Sequence, residues 1–226
     1  MLERQSTDDD LSPSDNQLRN LSRMTTILSG NWRASMLAHS LWEFYNYQLY
    51  CTVRADDGKP NRHRIDGITG PKTIDTIRIC ISIRDNERQE EGLVHELLHA
   101  NLIPLGYPRF WVEEPASEKW RLAEGTINLA DHIVMQPIYL SLGYLAQRFL
   151  GPSRPLSELE KRVAGDLHEI AANLTTPNGY MTHMSAYLRS HNIKCEPLYL
   201  AEAVLRQRRG QSDGADVMPC RWKQRA

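Results

Sequence analysis

Cysteine is scarce in this chain, and what there is lies scattered. Cys51, Cys80, Cys195 and Cys220 are the only four in 226 residues, and no two stand as C-x-x-C. That pattern excludes the common cysteine zinc site and suits a reducing compartment better than a disulfide framework. An excess of one charge is lacking too. With 27 basic and 28 acidic residues the net charge is −1, so no broad field exists to draw nucleic acid. The basic clusters at 206–209 and 221–225 sit near the C-terminus and read as a solvated tail. No apolar run is long and clean enough to span a bilayer; the best, Ile133 to Leu150, is broken by Gln136, Pro137, Gly143, Gln147 and Arg148. Met1 to Asp15 is acidic and polar, without the apolar stretch of a signal peptide. These absences predict a cytoplasmic protein that binds neither nucleic acid nor membrane, and they leave the oligomeric state open. No repeat divides the chain. Its length suits one domain, here 16–209, between disordered segments at 1–15 and 210–226.

Within that domain the patterning is mostly helical. Helices are expected at Gln17 to Leu28, Arg33 to about Phe44, about Ala116 to Phe149 with a kink at Pro137, Leu156 to Leu174, Tyr180 to Ser190 and Pro197 to Arg208. Tyr45 to Arg54 alternates and is rich in aromatic and β-branched residues, which suggests a strand. Ala55 to Lys72 holds three glycines, two prolines and many charges and reads as a long loop or hairpin connection. Isoleucine then takes every second place at Ile77, Ile79, Ile81 and Ile83, the period of a strand with one buried face. Tyr107 to Trp111 reads as an aromatic loop. The fold class predicted is α+β: mostly helical, with a small sheet preceding the helix that carries the chemistry.

That chemistry lies in His95-Glu96-Leu97-Leu98-His99, an H-E-x-x-H pattern among strong helix formers. Residues four apart stand above one another on a helix, so both imidazoles can reach one metal ion. Glu96 projects from nearly the same turn, where it could take a proton from a metal-bound water. Asn86 with Gln89 resembles a capping box at the start, and Pro104 and Gly106 supply the stop. A plain amphipathic helix with two surface histidines is the competing reading of these residues.

The segment resembles the active-site helix of the zincin metallopeptidases, of which thermolysin-like enzymes are the familiar case. The resemblance covers the helix and its surroundings only. It implies that His95 and His99 bind Zn2+, that Glu96 is the general base, and that a strand just upstream edges the substrate cleft. Ile77 to Arg84 would fill that place or pair with the strand that does, though an ordinary core strand explains it equally well. The metzincin extension H-E-x-x-H-x-x-G-x-x-H is absent, since positions 102 and 105 are both Leu.

A catalytic zinc takes three protein ligands and a water, so a third must come from farther along. Glu113, Glu114, Glu118 and Glu124 lie in polar surroundings that a solvated face explains. Asp131 and His132 sit within a largely apolar run, Ile127 to Met135, where an ionisable group needs a partner. His132 is the favoured ligand, with Asp131 or Asn128 orienting an imidazole; Asp131 is the alternative ligand, and a core histidine paired with the aspartate is the bland reading. Tyr107, Tyr139, Tyr180 and His183 are further polar residues, and Tyr180 or His183 could supply an oxyanion donor. The leading expectation is a zinc-dependent metallopeptidase acting on a peptide or protein. The alternatives are a zinc enzyme acting on a small-molecule amide, and a non-enzymatic helical interaction protein. A cleft long enough for an extended peptide would favour the first; a closed pocket lined by Trp111 and Tyr139 would favour the second.

Overall fold

A computed structural model describes residues 13–70, 72–113, 117–149 and 158–210. Its centre is the isoleucine-rich strand. β1 (Leu49–Arg54), β2 (Arg62–Gly70) and β3 (Thr73–Arg84) form one sheet in the order β1-β3-β2, with β1 parallel and β2 antiparallel to β3. Ile77, Ile79, Ile81 and Ile83 are all buried, but so are Cys80 and Ser82 between them. The expected strand with one buried face is therefore buried on both faces, with α3 and α8 both packed against it.

α1 (Pro13–Ile27) and α2 (Trp32–Phe44) precede the sheet, close to the sequence expectation. Asn31 caps α2, its side chain accepting from the backbone of Arg33 and Ala34. Pro13 to Asp15 already belong to α1, so the disordered start expected at 1–15 does not reach that far; residues 1–12 and 211–226 lie outside the described residues. The strand expected from Tyr45 begins only at Leu49, since Asn46 and Tyr47 take positive φ in the turn before it.

β2 was not expected. Its glycines read as loop, yet one of them makes the strand possible. Gly67 has φ +96°, and a Cβ there would lie 2.2 Å from the Thr76 carbonyl oxygen. The pairing of β2 with β3 shifts register on both sides of Ile68, from Asp66 to Gly70, so Gly67 sits in a bulged ladder that only glycine tolerates.

α3 (Gln89–Asn101) packs on β3 and against α1, α2 and α4. Leu93, Val94, Leu97, Leu98 and Ala100 are buried, so the helix is enclosed on most sides, and its polar residues Glu96 and His99 go into the interior with it. The expected capping box is replaced: Asn86 accepts from the backbone of Arg88 and Gln89 donates to Asp85. The stop is where Pro104 and Gly106 placed it, with Gly106 at φ +85°.

The aromatic loop is a strand, β4 (Arg109–Val112), paired antiparallel with β5 (Cys195–Leu198). α4 (Glu118–Ser141), capped by Ser117, contains Pro137 and is followed by a short 3-10 turn at Ala146–Arg148. α5 (Glu158–Glu169), α6 (Ala171–Leu174), α7 (Pro177–Ser190) and α8 (Leu200–Gly210) complete the described residues. The α+β class, mostly helical with a small sheet before α3, is what the structure has. Among the described residues no helix is long and apolar enough to cross a membrane. Cys51 and Cys195 are free thiols; Cys220 lies outside the described residues.

Candidate metal centre

α3 presents His95 and His99 one turn apart, and α4 crosses it to bring His132 against them. One nitrogen from each of the three imidazoles lies within 4.8 Å of the others. Nε2 of His95 and Nε2 of His132 are 3.2 Å apart. Two imidazole ligands on a tetrahedral zinc, with bonds of 2.0–2.1 Å, stand about 3.3 Å apart, so this pair already has the spacing of ligands.

The proton positions suit the same role. Nδ1 of His95 faces the Phe149 carbonyl at 3.2 Å, which can only accept, so Nδ1 carries the proton and Nε2 keeps its lone pair. Nδ1 of His99 donates likewise to the Asp131 carboxylate at 3.1 Å. His132 has a buried Nδ1 without a hydrogen-bond partner. Burial pulls all three histidines below their ordinary pKa, His99 to about 4 and His132 to about 3, against the opposing pull of nearby carboxylates. Neutral imidazoles with converging ring nitrogens fit a divalent cation. Phe149 closes the other side, its ring centroid 5.2 Å from that of His95 and 5.5 Å from that of His132.

Asp131, the alternative ligand of the sequence reading, is not in this group. Its two oxygens are taken by His99, by Nη1 of Arg109 at 2.6 Å and by the Tyr180 hydroxyl at 2.6 Å. Burial opposes its charge, but Arg109 and the hydrogen bonds from His99 and Tyr180 hold its pKa well below the carboxylate range. The contact with Nδ1 of His99 is the kind by which Asp131 or Asn128 was expected to orient an imidazole. Glu113, Glu118 and Glu124 do not join the group, and Glu114 lies outside the described residues.

Glu96 is 5% exposed, and its Oε2 is 2.9 Å from Nδ1 of His63 on β2. Burial works against its charge, yet the hydrogen bond from His63 and the neighbouring imidazoles outweigh it and draw its pKa down to about 2. Sequence reasoning missed His63 and gave Arg109 no role. His63 hid in a stretch read as loop; the clue was the alternation of Arg62, Arg64 and Asp66 around His63 and Ile65. Arg109 had no local clue, because its partner Asp131 lies on a distant helix.

Of the two proposed oxyanion donors, Tyr180 is otherwise engaged. Tyr180 is fully buried and donates to Asp131, and Tyr107 donates to the Thr175 carbonyl. The Tyr139 hydroxyl is buried without a partner, its pKa raised to about 12 by burial. His183 is half-buried on α7.

A cavity of about 670 Å³ lies against His63, Arg109 and Asp131, and its wall does not include His95, Glu96, His99 or His132. Its wall includes His63, Ile65, Arg109, Trp111, Trp120 and Asp131. Trp111 lines it as expected; Tyr139 is not part of its wall. No family model matches the chain, and neither a curated protein nor a solved structure is found to be similar to it.

Proposed function

We propose that the protein is a zinc-dependent hydrolase, with peptide bonds as its substrate class. The observation that carries this reading is the convergence of His95, His99 and His132, with Glu96 next to His95 on α3 and near enough for both His95 and His99 to act on its charge. Three imidazoles are the donor set of a catalytic zinc site rather than a closed structural one, which takes four protein ligands. Among the described residues no fourth donor joins the group. Zinc is preferred over other divalent metals because it readily accepts neutral imidazole in a tetrahedral site. Bound there, it supplies Lewis acidity, making water a nucleophile near neutral pH and polarising a carbonyl.

The chain's own residues do the rest. Asp131 and the Phe149 carbonyl hold Nδ1–H of His99 and His95, which aims both Nε2 atoms at the centre. Glu96 is ionised, and with Oε2 held by His63 its Oε1 has no partner among the described residues. Oε1 is then the atom left to take a proton from water and pass it to the leaving amine. Among the described residues β2 is an edge of its sheet and lines the cavity, a position that supports a peptide added as a further strand. A cavity of about 670 Å³ also falls in the range that encloses a small molecule, which keeps a small amide as the second reading.

The test is metal content by mass spectrometry on wild type, His99→Ala and His132→Ala, with hydrolysis of a mixed peptide library by wild type and Glu96→Gln. About one zinc per chain, lost in both histidine variants, together with zinc retained but turnover lost in Glu96→Gln, is the expected result. A folded wild type that takes up no zinc would overturn the reading in favour of a helical interaction protein.

A further inference from the structure

We propose that His63 is a positioning residue that sets the carboxylate of Glu96 for its work as general base. This rests on the hydrolase reading above, and it adds to the H-E-x-x-H helix a fourth histidine delivered by an edge strand. His63 is held from both ends. Its Nε2 lies 3.2 Å from Nη2 of Arg109; a guanidinium only donates, so Nε2 must accept and the ring proton sits on Nδ1. Nδ1–H then has one acceptor within reach, Oε2 of Glu96 at 2.9 Å. The ring lies flat on that of His99, centroids 4.4 Å apart and planes 19° from parallel. Its backbone is locked opposite Ile81 in the sheet.

The result is a closed circuit. Asp131 accepts from both His99 and Arg109, Arg109 donates to His63, and His63 donates to Glu96, which shares α3 with His99. Ligand and base are thereby tied to one frame through different atoms. A glutamate has three rotatable side-chain bonds, and α3 alone fixes only the first of them with any force. The His63 bond fixes the carboxylate plane and reserves Oε2, leaving Oε1 for the proton. His63 is not itself among the converging donors, because both its nitrogens are committed elsewhere.

The experiment compares zinc-loaded wild type with His63→Ala, His63→Asn and His63→Gln. In His63→Ala, kcat should fall about 10- to 100-fold, the scale of losing such a supporting contact or of a misplacement near 1 Å, with KM and zinc content within about twofold. The amide nitrogen of Asn can stand where Nδ1 stands and should recover much of kcat; that of Gln stands where Nε2 stands and should not. Independently of activity, nitrogen-15 histidine NMR should show His63 protonated on Nδ1, with its proton shifted downfield in wild type and no longer so in Glu96→Ala. Full kcat in His63→Ala, a proton on Nε2, or zinc lost together with activity would each overturn the proposal. A wild type that holds no zinc, or holds it and hydrolyses nothing, overturns the hydrolase reading instead.

Discussion

At the scale of single residues, Asp131 is the point where the buried charges meet the candidate metal centre. Its carboxylate is almost without solvent, and it balances the buried guanidinium of Arg109 while steering His99. Removing one partner of such a pair leaves an uncompensated buried charge. Arg109→Leu should therefore destabilise the fold by about 3–5 kcal/mol, read from urea unfolding; a loss below about 1 kcal/mol would mean that His99 and Tyr180 suffice for Asp131. Asp131→Asn keeps the shape but leaves His99 with a weaker, neutral partner. It should lower zinc affinity about 10- to 100-fold in competition with a chromophoric chelator. An unchanged affinity would show that the ring of His99 is held by packing alone.

At the scale of elements, β2 depends on Gly67. A side chain there would need a left-handed backbone and would meet the Thr76 carbonyl. Gly67→Ala should cost about 2 kcal/mol or more, measured by chemical denaturation. Because His63 lies on the same strand, it should also lower kcat without removing the three imidazoles. How much was legible beforehand follows from what each element depends on. The helices and β3 announce themselves through local periodicity, and His95, Glu96 and His99 share one turn, so spacing alone brings them together. His132 was found because an ionisable pair in an apolar run needs a partner. β2, β4 and β5 were hidden because they are short or bulged, and their strand state depends on pairing with distant residues rather than on their own pattern. His63 and Arg109 were hidden with them.

At the scale of the whole molecule, the three imidazoles come from α3 and α4, so a metal bound by all three binds the folded chain far better than the unfolded one. Saturating zinc at 100 times its dissociation constant should add about 2.7 kcal/mol. The midpoint of thermal unfolding should rise with zinc concentration and fall on adding a chelator, and His132→Ala should abolish the dependence. A midpoint indifferent to zinc would place any bound metal outside this centre.

An exposed strand edge is also a place where copies of a protein can stick together. Among the described residues β2 lies at an edge of its sheet; Arg62, Arg64 and Asp66 bring charge to it, and the ladder shifts register on both sides of Ile68. Charge and a bulge at a strand edge are features that disfavour edge-to-edge pairing between copies. Replacing Arg62 and Arg64 with threonine should leave the fold intact yet raise light scattering in concentrated solution. The concentration at which the protein can be handled would then be set by the same strand that lines its cavity.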